Sequence, residues 1–243
     1  MSIPTPRLGM FAGTNGSGKT TVKNRVPPSL FGVYVNPDDL EKAIRDEGVL
    51  RLEPFGVAFT TEEIRAWFTA SPFLQANNLA EAASVLECRE GAIDFRGLGM
   101  NAYYASVLSD ALRRKLLAGS HSFSFETVMS SPDKIELLRD AQNQGFRTYL
   151  YYVATERPTI NIERVRNRVA EGGHDVPEDK IVSRYHRSLA LVREAIRHTN
   201  RAFFFDTSEQ KSWYVAEITD GIEIDLKSEE MPNWFKTAVW DKF

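Results

Sequence analysis

Short apolar runs alternate along the chain with segments in which apolar residues recur every three or four positions. The runs rich in β-branched and aromatic residues predict strands at 8–12, 32–35, 122–125, 148–154, 202–205 and 222–226. The periodic segments predict helices at 20–26, from Pro37 onward, and at 60–69, 77–87, 101–118, 132–145, 158–171 and 177–198. Strands that alternate with helices predict an α/β fold with a largely parallel central sheet.

The alternation also predicts how the chain is organised. We expect one domain over residues 1–243, because no repeat, low-complexity tract or flexible linker interrupts the pattern. The stretch 50–100 fits the alternation worst, so we expect a helical insertion or substrate cap there. Residues 209–243 follow the last confident strand and are expected to form a C-terminal extension.

Composition and charge narrow the class of protein. The chain has 30 Lys and Arg residues against 33 Asp and Glu residues, a net charge of −3, so a nucleic-acid partner is not expected. The single cysteine, Cys88, cannot close an intramolecular disulfide, which favours a reducing compartment. No apolar run reaches the ~18 residues of a membrane span, and the first residues lack the apolar stretch of a secretory signal. We therefore expect a cytoplasmic protein that does not bind a membrane.

A glycine-rich turn follows the first predicted strand and matches the pattern G-x-x-x-x-G-K-[ST]. Its residues are Gly13, Thr14, Asn15, Gly16, Ser17, Gly18, Lys19 and Thr20. In such a loop the backbone N–H groups surround phosphate oxygens. We expect Lys19 to reach the β- and γ-phosphates, the Thr20 hydroxyl to hold Mg²⁺, and Thr21 to continue the nucleotide-binding segment. The alternative is a glycine-rich turn without a ligand.

Three carboxylates follow predicted strands at the edge where ligands bind in an open parallel sheet. Asp38 and Asp39 come after the second strand, and Glu126 comes after the third. A carboxylate at this place can accept the proton of the hydroxyl that is phosphorylated. The alternatives are helix capping for Asp38 and Asp39, and a solvated strand end for Glu126.

Arginines cluster in residues 157–201, which hold ten Lys or Arg residues against six Asp or Glu residues. Arg164 and Arg168 share one helix face, as do Arg184 and Arg187. Arginine is suited to bidentate contacts with phosphate, although a solvated charged face is the alternative. His174 lies in the loop between these two helices, either as a ligand contact or as a structural histidine.

Together these residues resemble a known family. The sequence is similar to the zeta toxin family of P-loop kinases, in its stand-alone bacterial branch, also described as predicted ABC-type ATPases. The motifs that carry the resemblance are FAGTNGSGKTT (11–21), VNPDDL (35–40), SFSFETVMSSPDKIELL (122–138), INIERVRNRVAEGGHDVPEDKIVSRYHRSL (160–189) and FFFDTS (203–208).

The resemblance implies a three-layer P-loop NTPase-type fold and an ATP-dependent kinase related to enzymes that phosphorylate the 3′-hydroxyl of a UDP-N-acetyl-amino sugar. It implies ATP and Mg²⁺ as cofactors, a small-molecule acceptor, and an antitoxin protein encoded nearby. By the same resemblance Asp38 is the catalytic base, Arg168 contacts the γ-phosphate, and Glu126 with Thr127 contacts substrate or metal-bound water. The substrate-binding set, also by resemblance, is Asp38, Asp39, Glu126, Thr127 and His174. A second γ-phosphate arginine has no clean match, and Arg184 and Arg187 are candidates for it.

Two other functions stay open at this point. A polynucleotide or RNA kinase would use the same loop and the arginines of 157–201. A non-catalytic, nucleotide-dependent regulatory module would use residues 71–100 as a docking surface rather than as a substrate cap.

Overall fold

The computed structural model describes residues 4–209 and 211–243. The single domain predicted over 1–243 also includes residues 1–3 and 210, which lie outside the described residues. The described strands are β1 (Arg7–Ala12), β2 (Val33–Val35), β3 (Val49–Arg51), β4 (Glu87–Arg89), β5 (Ala92–Asp94), β6 (Phe123–Thr127), β7 (Arg147–Ala154), β8 (Arg201–Asp206), β9 (Trp213–Thr219) and β10 (Glu223–Leu226). The described α-helices are α1 (Lys19–Lys23), α2 (Pro37–Glu47), α3 (Thr61–Thr69), α4 (Pro72–Gln75), α5 (Ala102–Ala118), α6 (Asp133–Asn143), α7 (Pro158–Ala170), α8 (Glu178–Arg197) and α9 (Asn233–Ala238).

The chain folds into two compact units. The first consists of Met1–Phe31 and Ser124–Phe243, and the second of Gly32–Phe123. The second unit therefore begins well before the segment 50–100 that the sequence pattern singled out. Short 3₁₀ turns at Pro28–Leu30, Glu53–Phe55, Glu81–Val85 and Trp240–Lys242 complete the elements described in the two units.

A central sheet organises the first unit, with its strands in the order β10-β9-β8-β7-β1-β6. The pairs β1–β7 and β7–β8 are parallel, whereas β9 and β10 add to the sheet in antiparallel fashion. The mostly parallel sheet confirms the α/β class. Since parallel strands end at the same edge, the loops after β1, β7 and β8 meet there, and these loops build the site described below.

Part of the core of this unit lies between β7, β8 and helix α9. Alternate side chains of β7 and β8 are buried, among them Tyr152 and Phe204. Helix α9 covers them: the ring centroids of Trp234 and Tyr152 are 5.8 Å apart, and those of Phe235 and Phe204 are 5.2 Å apart. Aromatic pairs at these separations stabilise the core beyond their area burial.

The last residues of the chain are part of this sheet and core. The predicted strand at 222–226 is confirmed as β10, but β9 and α9 were not predicted. Asp206, which is buried at the end of β8, accepts hydrogen bonds from the indole N–H groups of Trp213 (3.0 Å) and Trp234 (2.7 Å). One carboxylate therefore joins β9 and α9 to the sheet, and these bonds compensate its burial.

The second unit combines helices with a small sheet. Helix α5 confirms the helix predicted at 101–118, and the Asn101 side chain caps it by accepting from the N–H groups of Tyr103 and Tyr104. Strands β3, β5 and β4 form an antiparallel sheet in that order. The helix predicted at 77–87 is wrong: a 3₁₀ turn at Glu81–Val85 leads into β4 instead. Short apolar segments such as this one fit helix and strand periods equally, and pairing with β5 decides the outcome.

Hydropathy adds one observation. Among residues 4–209 and 211–243, none of the helices combines the length with the apolar character that crossing a bilayer requires.

Candidate phosphate-binding site

The loop between β1 and α1 is built on glycines whose positions leave no space for a side chain. Gly16 has φ +76°, and a Cβ atom there would lie 2.5 Å from the carbonyl oxygen of Asn161. A Cβ atom on Gly13, at φ +150°, would lie 2.2 Å from the carbonyl oxygen of Val153. Gly18 begins α1 with φ +82°. The glycine spacing read from the sequence is therefore a steric requirement of this loop.

The ammonium group of Lys19 folds back over the start of the loop. Its Nζ donates to the carbonyl oxygens of Gly13 (2.8 Å) and Thr14 (3.2 Å). The Thr14 carbonyl also accepts from the N–H of Ser17 at 3.1 Å. The positive charge of Lys19 is thus held at the loop by backbone dipoles, where an anionic ligand can approach it.

Donors from two other elements hold the next three carbonyl groups. The Asn15 carbonyl accepts from Asn161 Nδ2 (2.9 Å), and the Gly16 carbonyl accepts from Arg164 Nη1 (3.4 Å). The Ser17 carbonyl accepts from the Thr207 hydroxyl at 2.7 Å. The acceptors of the loop are therefore directed into the protein.

The N–H groups of the loop have the opposite arrangement. Within the residues that the structure describes, the backbone N–H groups of Asn15, Gly16, Gly18 and Thr20 donate to no protein acceptor. The Ser17 hydroxyl is fully buried and, among the described atoms, likewise has no partner. A concave run of N–H donors beside a lysine is a binding site for an anion such as a phosphate group.

Of the predicted arginines, Arg184 lies at the loop. Its Nη1 donates to the side-chain oxygen of Asn15 at 3.0 Å, and the side chain is half-buried. Burial, and secondarily the positive charge of Arg187, lowers the pKa of Arg184 below its ordinary value, so an anion nearby would be favoured. Arg187 is exposed and lies one turn further along α8.

Arg168 and His174 lie at the outer end of α7. The side chain of Arg168 is exposed, and its Nη2 donates to the carbonyl oxygen of His174 at 2.7 Å. His174 is also exposed, in the loop between α7 and α8. The structure brings these two residues together, with the guanidinium of Arg168 on that loop.

Glu126 and Thr127 end β6 next to the loop. The N–H of Gly13 donates to the carbonyl oxygen of Thr127 at 3.2 Å, and the Thr127 hydroxyl accepts from the N–H of Met129 at 3.0 Å. The Glu126 carboxylate lies 3.8 Å from the ammonium of Lys23, and both side chains are largely buried. The end of β6 thus adjoins the start of the loop, and the Glu126 carboxylate lies beside Lys23 of α1.

Asp38 and Asp39 belong to the second unit, in the first turn of α2. The side chain that caps this helix is Asn36, whose Oδ1 accepts from the N–H of Asp38 at 2.9 Å. Both aspartates are exposed. The carboxylate of Asp38 is thus not used as the N-cap, which was the alternative to a chemical role.

A cavity of about 320 Å³ in the second unit adjoins the same helix. Its lining residues include Tyr34, Asn36, Asp39, Leu50, Arg51 and Phe55. Predominantly apolar walls with a few polar groups are usual for small-molecule sites.

Two residues that contact the loop were not candidates in the sequence analysis: Asn161 and Thr207. Arg164, one of the arginines considered for phosphate, donates instead to the Gly16 carbonyl and the Thr207 hydroxyl. The signal for Asn161 is its position on α7, four residues before Val165, on the face that is buried. An asparagine on the apolar face of a helix needs polar partners, and here the loop supplies them.

In the described part of the chain, no three His, Cys, Asp or Glu side chains are grouped so as to hold a metal ion.

Solved structures share this fold. A chain of the crystal structure of AvrRxo1-ORF1:-ORF2 with ATP matches at a TM-score of 0.54, with 15% identity over 98% of this chain and 63% of that chain. A chain of the PezAT chromosomal toxin–antitoxin system of Streptococcus pneumoniae matches at a TM-score of 0.51, with 13% identity over all of this chain and 80% of that chain. At these identities the likeness shows the fold alone: an α/β fold with a mostly parallel central sheet.

Part of the chain matches a known family by sequence. Residues 102–214 match the zeta toxin family model, and this match confirms the resemblance predicted from the motifs. An uncharacterized protein of Haemophilus influenzae is 35% identical over 63 residues, which are 26% of this chain and 45% of that protein. The chain thus matches less than half the length of this curated relative. The loop 13–20 and Asp38 lie outside the family match.

Proposed function

We propose that this chain is a zeta toxin-like ATP-dependent kinase that transfers the γ-phosphate of ATP to a hydroxyl group of a small molecule. The observation that carries the proposal is the loop 13–20: its carbonyl groups are bonded to the protein, while the N–H groups of Asn15, Gly16, Gly18 and Thr20 have no acceptor among the described residues. One structural neighbour, AvrRxo1-ORF1:-ORF2, was crystallised with ATP, which supports the choice of nucleotide.

In this proposal the loop holds the polyphosphate. Lys19 exchanges its two carbonyl acceptors for the β- and γ-phosphate oxygens, and Arg184 contacts the same phosphates from α8. The exposed hydroxyl of Thr20 fits Mg²⁺, which in kinases is bound mainly by substrate phosphates and water and needs few protein ligands. When bound, Mg²⁺ neutralises charge on the phosphates. Arg168, by family resemblance, and Arg184 are proposed to contact the γ-phosphate, with Arg187 as the alternative candidate for the second of these arginines.

Carboxylates are proposed to act on the molecule that accepts the phosphate. Asp38 takes the proton of the attacking hydroxyl. In support of this role, its side chain is exposed and does not cap α2, since Asn36 does. Asp39, Glu126, Thr127 and His174 are proposed to position the acceptor. A UDP-N-acetyl-amino sugar is the acceptor that the family resemblance favours.

We also propose a protein partner. One structural neighbour comes from a toxin–antitoxin system, and residues 102–214 match the zeta toxin model. A small antitoxin encoded next to this chain would therefore be its partner, and co-expression followed by co-purification tests this.

The proposal is tested by incubating the protein with γ-labelled ATP, Mg²⁺ and a metabolite extract, and identifying labelled products by mass. We expect Asp38→Asn to keep its affinity for Mg·ATP while transfer falls at least about 100-fold, because a general base is lost. Asp46→Asn, at an exposed position on the same helix, is the matched control and is expected to stay active. Lys19→Ala is expected to lose both binding and transfer.

Other outcomes would contradict this function. Label that appears in added oligonucleotides instead of a small molecule would support a polynucleotide kinase. ATP binding without any labelled acceptor would support a regulatory module, and full activity of Asp38→Asn would remove Asp38 from the mechanism.

A further inference from the structure

The direction of each peptide group decides whether the loop can bind phosphate. In a trans peptide the C=O of one residue and the N–H of the next point in opposite directions. A donor that holds the carbonyl of Asn15 therefore also directs the N–H of Gly16, and a donor on the carbonyl of Ser17 directs the N–H of Gly18. Gly16 and Gly18 both have positive φ, and as glycines they allow these peptides to rotate unless something holds them.

Asn161 holds the first of these peptides. The side chain is fully buried, and its Nδ2 donates to the carbonyl oxygen of Asn15 at 2.9 Å and to the hydroxyl of Thr14 at 2.5 Å. A carbonyl oxygen only accepts, so the amide nitrogen must face the loop. The hydroxyl of Thr155 donates to Asn161 Oδ1 and sets the same orientation from the other side.

Thr207 holds the second peptide from the end of β8. Its hydroxyl lies 2.7 Å from the carbonyl oxygen of Ser17 and 3.3 Å from that of Ala154. Arg164 Nη1 donates to the same hydroxyl at 3.2 Å, so the Thr207 oxygen acts as an acceptor there and its own hydrogen goes to the nearer carbonyl. The guanidinium of Arg164 further donates to the backbone carbonyl of Thr207, which keeps the residue in place.

We infer that Asn161 and Thr207 are positioning residues for nucleotide binding: they keep the N–H groups of Gly16 and Gly18 directed at the polyphosphate. This inference rests on the proposed function, since it assigns these residues to the same phosphate-binding loop. Neither side chain is required to touch the nucleotide. Their effect passes through the two peptide groups, whose N–H donors have no protein acceptors among the described residues.

The test compares variants that keep or remove each donor. Thr207→Val removes the hydroxyl at nearly constant shape, whereas Thr207→Ser retains it. Asn161→Ala removes the amide, and Asn167→Ala on the exposed side of the same helix is its control. The dissociation constants for Mg·ATP and for inorganic pyrophosphate are measured by calorimetry, at a temperature where circular dichroism shows every variant folded.

We expect Asn161→Ala and Thr207→Val each to weaken both ligands by about tenfold, the size of one lost hydrogen bond in a buried setting. Thr207→Ser and Asn167→Ala are expected to stay within about twofold of the native chain. A residue with a merely structural role would lower the melting temperature without changing affinity for pyrophosphate.

The outcomes separate the two proposals. If the native chain binds neither Mg·ATP nor pyrophosphate, the proposed function fails and this inference fails with it. If the native chain binds both and Thr207→Val binds them as tightly as Thr207→Ser, the inference alone is overturned. Should Asn161→Ala not fold, the Thr207 pair still decides the question.

Discussion

The first turns of α7 and its last turn carry similar polar side chains but make different contacts. At the first turns, Asn161 is fully buried and Arg164 donates to Gly16 and Thr207. In the last turn, Arg168 is exposed and donates to the carbonyl oxygen of His174, in the loop that follows the helix. The first turns of α7 thus bond to the phosphate-binding loop, whereas its last turn bonds to the loop that follows the helix.

This difference shows why residue type alone does not identify the functional arginines. An exposed guanidinium on a loop carbonyl competes with water and contributes little to stability or position. A guanidinium or amide buried among carbonyl oxygens fixes the directions of peptide groups, because leaving those oxygens without donors would be costly. Burial and the identity of the acceptor, rather than the number of arginines, distinguish the first turns of α7 from its last turn.

The largest expected effect on affinity comes from adding a methyl group where the loop contacts the first turn of α7. A Cβ atom on Gly16 would lie 2.5 Å from the Asn161 carbonyl oxygen, so Gly16→Ala forces the loop to shift by roughly 1 Å, and we expect Mg·ATP affinity to fall about 100-fold. Gly172→Ala is the matched control at the outer end, since Gly172 also has positive φ but no atom lies within 4 Å of its Cβ position. Titration calorimetry measures both, and equal losses for the two variants would contradict the comparison.

The next effect separates Arg184 from Arg187, which both lie on α8. Arg184 donates to the Asn15 side chain at the loop, whereas Arg187 is exposed. We expect Arg184→Ala to weaken Mg·ATP about tenfold, which is the loss of one charge-assisted contact, and Arg187→Ala to change it by less than about twofold. A larger loss from Arg187→Ala would show that Arg187, not Arg184, is the arginine that reaches the phosphates.

The smallest expected effect on affinity concerns Arg168, in the last turn of α7. Because the guanidinium of Arg168 is exposed and donates to the His174 carbonyl, we expect Arg168→Ala to change Mg·ATP affinity by less than about threefold. The transfer rate with a labelled acceptor is measured on the same variant. Reduced transfer at unchanged affinity would support the proposed γ-phosphate contact of Arg168. A tenfold loss of affinity would instead group Arg168 with Asn161 and Arg164, the residues of α7 that contact the loop.

Local patterns predicted the parts of the site that depend on local geometry. The run LGMFA became β1, and the following glycines, Lys19 and Thr20 became the loop and the start of α1. The same holds for Glu126 and Thr127, which end β6 beside the loop. Each of these features is encoded within a few consecutive residues, so the sequence pattern contains the information needed.

Pairing with distant segments decided what the patterns missed. The segment 77–87 has an apolar spacing that also suits a helix, yet Glu87–Arg89 pairs with Ala92–Asp94 as a strand. The strand β9 and the helix α9 were not predicted, and Trp213 and Trp234 in them both donate to the buried carboxylate of Asp206. Neither outcome is visible without the partner segment, because the deciding hydrogen bonds join residues that the local pattern does not connect.

The sequence by itself determined the α/β class, the phosphate-binding loop and the zeta toxin resemblance, since these rest on short motifs and on the order of strands and helices. Only the tertiary structure decided which side chains hold that loop. Asn161 and Thr207 lie about 150 and 190 residues from the peptides they bond, and a hydrogen bond has no signature in sequence spacing at such distances. The motif therefore specifies a loop that is able to bind phosphate, and residues from α7 and the end of β8 direct its N–H groups.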